Sequence, residues 1–350
     1  MRIFVTQNRM SSALFGYKDK NETSFTKGNF IMSREVGMRV AILGVWHVHA
    51  DEYTKIAKEY GEVVGVWDSD AERRADFAKK HNIYEFSTLE ELLASDAEGV
   101  ICNAATNKHR EVLVAAANAG KHIFTEKVLA LTEEDCDAIR EAVERNGVRF
   151  VISFFWKMLG SYRAVKKAVD DGLIGKPNYL RFRNCHDGST SHWLPAHFYN
   201  KEQCGGGAMI DLGAHGMYLT HWILGEPTGY KSAFEHFCRD EKDAELNPDG
   251  IEDNAVTVMT YPNGAIAINE TGFVSRGCPT TLEVGGVDGY IYQNGGKYVL
   301  RNREGVRELE IDEDLPKPIV FFMKGETPEG CGIDEATALT RMMVGAYKNA

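Results

Sequence analysis

The sequence predicts an α/β doubly wound parallel sheet followed by an α+β half whose strands are mostly antiparallel. Three observations predict it. Residues 38–68 run as strand, glycine turn, helix, strand and acid. From Asp68 to Phe154 short apolar runs alternate with helical periodicities, the order of a parallel sheet joined by crossover helices. Beyond Asn178 strand-like runs follow one another almost without helices, as in an antiparallel sheet.

Val40 to Leu43 form a short apolar run that reads as a strand buried on both faces, and Gly44 breaks it. Tyr53, Ile56, Ala57 and Tyr60 recur at helical spacing, and Val63 to Trp67 make a second run ending on Asp68. This is the layout of a dinucleotide-binding unit, in which an acid about 20 residues on grips the adenosine ribose. The G-x-G-x-x-G fingerprint is kept only at its first glycine. Positions 44, 46 and 49 hold Gly44, Trp46 and His49. Backbone amides at a helix start bind phosphate whatever the side chains, so Gly44, Trp46, His47, Val48, Asp68 and Ser69 are the candidate cofactor contacts here. The Asp68 charge lies where the 2′-phosphate of NADP would sit, so NAD is expected over NADP. Arg73 and Arg74 are expected to solvate their helix face.

Next come a helix over 71–81 capped by Asp70, a short helix over 88–94 capped by Thr88, and a buried strand over Gly99–Asn103. A helix over 109–119 ends at Gly120, a strand spans 122–125, and Thr132 caps a helix over 133–145. Residues 149–154 close the first half. A helix over 162–171 follows. Strands are then expected at 179–183, 229–237, 254–261, 265–273, 280–285, 289–293 and 298–301, interrupted by a helix over 209–224 and closed by one over 335–347. The division is a polar extension over 1–37, flexible or wrapped on a subunit, then domains at 38–155 and 156–350.

Composition narrows the function. The chain has 350 residues and a formal net charge of −11, which argues against nucleic acid or an anionic membrane as partner. No apolar run reaches the roughly 20 residues of a membrane span. Seven cysteines, an odd number without a C-x-x-C pair, fit reduced thiols in a cytoplasm.

Three segments could carry chemistry. Ala104, Ala105, Asn107 and His109 follow a strand at the carboxyl edge of the sheet, where open α/β folds bind ligands. Thr106 or Asn107 could instead cap the next helix. Glu126 and Lys127 end the next strand, where a lysine beside a nucleotide cleft can pass a proton, or the two form an ordinary exposed pair. Three glycines, Gly205 to Gly207, precede a helix carrying Asp211 and His215 four apart on one face. That pair reads as a proton acceptor with an orienting group. No third ligand is spaced to complete a metal site, and no metal is expected.

Together Asn107-x-His109, Glu126-Lys127, Gly172-Leu-Ile-Gly-Lys176 and the run from Gly205 to His215 resemble the glucose–fructose oxidoreductase / inositol dehydrogenase / rhizopine-catabolism (Gfo/Idh/MocA) family over residues 38–350. The resemblance implies a Rossmann domain, then an α+β domain whose large open sheet forms a homodimer or homotetramer interface. It implies NAD or NADP as cofactor and a sugar, polyol or keto form as substrate. By resemblance Lys127, Asp211 and His215 are catalytic. His215 would take the hydroxyl proton, Lys127 would bond the same oxygen, and Asp211 would orient His215 or hold a neighbouring hydroxyl. Trp156, Lys157, His192 and Trp193 are the further candidates for substrate contact. Two departures stand out. Val128 replaces the proline that usually follows Glu-Lys, and Trp46 and His49 replace glycines. Rival readings are a redox-assisted glycosidase that recycles a tightly held NAD, and a non-catalytic nucleotide-binding regulator.

Overall fold

The computed structural model describes residues 37–350. The extension predicted over 1–37 therefore lies outside the described residues, save Gly37. In the first half the apolar runs become β1 (Arg39–Leu43), β2 (Glu62–Trp67), β3 (Tyr84–Glu85), β4 (Gly99–Cys102), β5 (His122–Thr125) and β6 (Phe150–Ile152). Between them lie α1 (Ala50–Tyr60), α2 (Ala71–His81), α3 (Leu89–Ala94), α4 (His109–Asn118) and α5 (Glu133–Asn146). The strands pair in parallel in the order β3-β2-β1-β4-β5-β6. Val40, Ala41, Ile42 and Leu43 are wholly buried, as a central strand covered on both faces requires. The side chains of Asp70, Thr88 and Thr132 each accept from an amide three residues on, so the predicted caps form.

The strand order reverses between β1 and β4, and ligand clefts open at such a switch point. Gly44 and Ala104 meet there. Gly44 has φ +79°, and a Cβ on it would lie 2.6 Å from the Ala104 Cα, so both conformation and space demand glycine.

The second half contains α6 (Gly160–Asp170), β7 (Pro177–Cys185), α7 (Lys201–Cys204), α8 (Ala214–Leu224), β8 (Gly229–Glu235), α9 (Glu241–Leu246), β9 (Asn254–Thr260), β10 (Ile266–Gly272), β11 (Thr281–Gly286), β12 (Gly289–Asn294), β13 (Lys297–Asn302), β14 (Gly305–Glu308), α10 (Pro318–Met323) and α11 (Ile333–Lys348). Eight strands stand in the order β14-β13-β12-β11-β7-β10-β9-β8. All pair antiparallel except β7 with β10, which is parallel. The helix α8 covers one face, and α11 packs on α8, β8 and α5, while α10 returns to α1 and β6. Five elements escape the sequence reading. β3 and β14 are short edge strands, β14 fully exposed, and α7, α9 and α10 span at most six residues, too few to display a period. The predicted helix over 209–224 begins as a π turn, Met209–Gly213, before α8. No helix among the described residues is long and apolar enough to cross a membrane. All seven cysteines are free.

Candidate active site

A cleft of about 270 Å³ opens at the switch point, lined by Gly44, Trp46, Asp68, Ser69, Arg73, Ala104, Ala105 and Asn107 from the first half and by Glu202 and Gln203 from α7. Asp68, only 2% exposed, braces the glycine turn. Its Oδ2 accepts from Val45 N at 2.7 Å, and its Oδ1 accepts from Asp70 N at 2.8 Å and from the Arg73 guanidinium at 2.6 Å. Arg73 thus neutralises Asp68 instead of solvating its helix, and Arg74 donates to the Asp68 carbonyl and to Glu85. Neither Thr106 nor Asn107 caps α4. The Asn107 Oδ1 is buried without a partner, an acceptor waiting for a donor. The acid, the arginine, the orphaned amide and the glycine turn fit the adenosine side of a dinucleotide.

Trp46 also lines a second, smaller cavity of about 30 Å³, the room of one or two waters, with His47, Lys127, Phe198, Cys204, Ile210 and Asp211. The indole is thus a wall between two spaces. Its Nε1 donates to Gln203 Oε1 at 2.6 Å, and its ring lies 4.8 Å from His197 and 5.6 Å from Phe198.

Lys127, buried at the end of β5, donates from Nζ to Asp211 Oδ1 at 2.7 Å and to the Asp211 carbonyl at 2.8 Å. Burial pushes the Asp211 carboxyl up, but the Lys127 ammonium outweighs it and holds the group below its ordinary value. An ammonium has three hydrogens, so one remains for a substrate oxygen. His215 stacks on Trp156, with centroids 4.6 Å apart and planes at 11°, and its Nδ1 lies 2.9 Å from the Tyr218 hydroxyl. Burial, then the Lys127 charge, push its imidazole well below the ordinary value, so it is neutral at pH 7. Trp156 N donates to the Tyr218 oxygen at 3.3 Å. That leaves the phenolic hydrogen for His215 Nδ1 and the imidazole hydrogen on Nε2. The expected Asp211–His215 pair is therefore divided. Asp211 orients Lys127, and Tyr218 orients His215. The π turn is the reason, because four residues complete a face only in an α-helix.

The glycine run is held from afar. Glu252 Oε1 accepts from Gly207 N at 2.9 Å, Met209 N at 3.1 Å and the Tyr347 hydroxyl at 2.6 Å, and that hydroxyl accepts from Ile210 N at 3.2 Å. A Cβ on Gly206 would strike Tyr347, and one on Gly207 would strike the Glu252 carbonyl.

Glu126 turns the other way from Lys127. It is 2% exposed, and its Oε1 accepts from Tyr53 and pairs with His49 Nδ1 at 2.7 Å. Burial raises its carboxyl, yet His47 and His49 draw it below the usual range. Burial lowers His47 to about 4, whereas Glu126 outweighs burial at His49 and raises it. The Lys127–Val128 peptide is cis.

Of the sequence candidates, Gly44, Trp46, Asp68, Ser69, Ala104, Ala105 and Asn107 share the cleft, and Trp46, His47, Lys127 and Asp211 share the smaller cavity. Others are used elsewhere. Both His109 ring nitrogens face main-chain carbonyls, those of Leu129 and Ala104, at 3.0 and 3.2 Å. Glu126 is spent on Tyr53 and His49. Val48 is 50% exposed. Trp156 backs His215. Lys157 is a correction: its Nζ is buried and donates to the Gly330 carbonyl at 2.8 Å over the Phe154 ring, because its long apolar stem packs inward after β6. His192 (φ +53°) and Trp193 line neither space. Gln203, Tyr218, Glu252 and Tyr347 went unread. Only Tyr218 carried a local signal, standing three residues after His215 on one helix face.

The model of the oxidoreductase family with NAD-binding Rossmann fold, GFO/IDH/MocA, matches residues 38–154, and that of the GFO/IDH/MocA C-terminal domain matches residues 162–292. The 1,5-anhydro-D-fructose reductase of Ensifer adhaerens is 29% identical over 265 residues, 72% of this chain and 76% of that one. The myo-inositol 2-dehydrogenase of Thermotoga maritima is 25% identical over 324 residues, 86% and 93% of the two. Among solved structures an oxidoreductase from Agrobacterium radiobacter, in complex with NAD+, L-tartaric acid and magnesium, has TM-score 0.74 and 17% identity over 89% of this chain and 96% of that one. The chain belongs to the GFO/IDH/MocA oxidoreductases and carries their NAD-binding Rossmann fold.

Proposed function

We propose that the protein is an NAD-dependent dehydrogenase that moves hydride between the nicotinamide and a hydroxyl or keto carbon of a sugar, polyol or glycoside. One observation supports this most: a buried Lys127–Asp211 pair beside a neutral, stacked His215, next to an NAD-type cleft. The sugar and polyol enzymes among its relatives support the substrate class. Asn107 and Asp68 would hold the adenosine side of the cofactor, with Arg73 paired to Asp68, and the cofactor supplies hydride acceptance when bound.

The protein's own residues do the rest. Lys127 donates its remaining hydrogen to the reacting oxygen and stabilises the charge that grows there. Asp211 fixes the position of the ammonium. In carbonyl reduction His215 stays neutral and hydrogen-bonds the oxygen through its Nε2–H, while the Lys127 ammonium gives up the proton that completes the hydroxyl. In alcohol oxidation the Tyr218 hydroxyl rotates, Nδ1–H donates to it, and Nε2 becomes the proton acceptor. The half-exposed sheet face, with Tyr179 stacked on Tyr290 and Arg181 paired to Glu270, would join copies into a homodimer or homotetramer. The free thiols suit the cytoplasm.

The test is to purify the protein, release any nucleotide with denaturant, and follow absorbance at 340 nm with a sugar panel. NADH formed with one sugar supports the reading. No nucleotide and no turnover with any sugar overturns it.

A further inference from the structure

Just beyond β7 the chain builds a small rigid object that the mechanism above does not use. Residues 187–193 fold back on themselves. Ser191 N donates to the Asp187 carbonyl at 2.8 Å, Trp193 N to the Gly188 carbonyl at 3.1 Å, and the Ser191 hydroxyl to Asp187 Oδ2 at 2.7 Å. Trp193 Nε1 donates to Asp187 Oδ1 at 3.1 Å, yet the indole is 53% exposed. Beside it lies His186, with centroids 4.6 Å apart and planes tilted by 51°, and His186 stacks on Phe273, 4.9 Å away at 9° and only 1% exposed. An exposed tryptophan normally forfeits side-chain freedom for nothing. This one is held by its bond to Asp187 and its tilted contact with His186, so its face is prepaid for a ligand.

The position is informative. His186 N donates to the Gly272 carbonyl at 2.9 Å, at the end of β10. The preceding residue, Thr271, donates its hydroxyl to the Ala208 carbonyl, on the turn that carries Asp211. The His186 imidazole lies within electrostatic reach of the Asp211 carboxylate. The plate therefore stands beside the reacting centre and outside it. Its rim is polar: Arg276, 87% exposed in its side chain, reaches to 3.8 Å from Asp187. An indole face with hydrogen-bonding groups at its edge matches the apolar face and equatorial hydroxyls of an uncharged sugar ring.

We propose that Trp193 is the platform of an outer subsite that stacks a second saccharide ring, so that the preferred substrate is a disaccharide or glycoside whose inner ring reacts at Lys127 and His215. The proposal rests on the dehydrogenase reading for the inner ring only. The outer ring contributes binding and no chemistry, so its loss appears in KM.

The experiment compares glucose with maltose and cellobiose as probes, in wild type and in Trp193→Ala and Trp193→Phe, with NAD present. Kinetics at 340 nm are paired with calorimetric titration of each sugar, which reads binding whether or not turnover occurs. The expected result is one disaccharide bound about tenfold tighter than glucose, a tenfold preference being about 1.4 kcal/mol. Trp193→Ala should abolish that preference with kcat unchanged, Trp193→Phe should restore part of it, and glucose should be indifferent to both. Disaccharide binding without NADH would retain the subsite, and no NADH with any sugar of the wider panel would sink the dehydrogenase reading. Equal binding of all three sugars by wild type, equal weakening of all three in Trp193→Ala, or a change of oligomeric state as the sole effect would overturn the subsite.

Discussion

Lys127 Nζ sits 2.7 Å from Asp211 Oδ1 and 2.8 Å from the Asp211 carbonyl, so one residue presents both its charge and its main chain to the same ammonium. The lysine comes from the first sheet and the aspartate from the turn before α8. Lys127→Ala removes the donor to the reacting oxygen, and His215→Ala removes the proton carrier. Each should lower kcat by about 10²–10⁴-fold, in the range general acid–base and electrostatic groups contribute. NAD binding, followed by titration, should persist. Near-normal turnover in both variants would refute the assignments.

Tyr218 decides which imidazole nitrogen carries hydrogen. Tyr218→Phe should leave the fold and NAD affinity in place and lower kcat with KM little changed. Because burial and Lys127 keep His215 neutral, the wild-type kcat should stay flat as pH falls from 7.5 through 6.5, where an ordinary histidine would be half protonated. A rate–pH profile that halves near 6.5 would contradict the neutral imidazole.

Arg73 on Asp68 bears on cofactor choice. With the carboxylate alone, a 2′-phosphate would be repelled; with Arg73 beside it, the repulsion is softened. Arg73→Ala should therefore lower kcat/KM for NADP by at least about tenfold, roughly 1.4 kcal/mol, and leave NAD nearly unaffected. Parallel assays with the two nucleotides decide it.

The Trp46 indole lines both the cleft on the adenosine side and the smaller cavity at Lys127, so a dinucleotide reaching from one to the other must pass it. Gln203→Ala removes its latch. Stopped-flow NAD binding should then show association and release both accelerated, with Kd little changed. Unaltered rates would mean that the latch does not control entry.

Acid should weaken the fold through the buried histidine cluster. His47 is lowered to about 4 from an imidazole value of 6.5, so between those limits the unfolded chain binds a proton that the folded chain refuses. Stability from this group is complete above 6.5 and is lost as pH falls towards 4. Glu126, also lowered, adds a loss of the same sign below its ordinary 4.5. His49, raised, works oppositely: its contribution is complete below 6.5 and fades as pH rises through its folded value. Thermal melts should give a lower Tm at pH 5 than at pH 7.5, and His47→Gln should flatten the slope.

The first sheet was legible because its signals are local. A buried strand is a continuous apolar run, and Asp70, Thr88 and Thr132 cap within three residues. The cleft residues followed, since they sit at strand ends. The second sheet was legible as a class, but its parallel β7–β10 pair could not be read, because pairing across 80-odd residues leaves no local trace. Lys127 meets Asp211, while the expected pairing of Asp211 with His215 is not formed. The π turn undid the four-residue rule and Tyr218 took the place at Nδ1. Lys157 misled for a different reason: it was expected to reach substrate, and its surroundings bury it against the Gly330 carbonyl.

Glu252 and Tyr347 have a consequence in time. The hydrogen bonds that shape the glycine turn close loops of 45 residues, Gly207 to Glu252, and 137 residues, Ile210 to Tyr347. Contacts so distant along the chain carry a larger closure entropy than the parallel neighbours of the first sheet, and they form late. During refolding from denaturant the far-ultraviolet signal should recover first and turnover last. In that interval the molecule would have most of its architecture and no working centre.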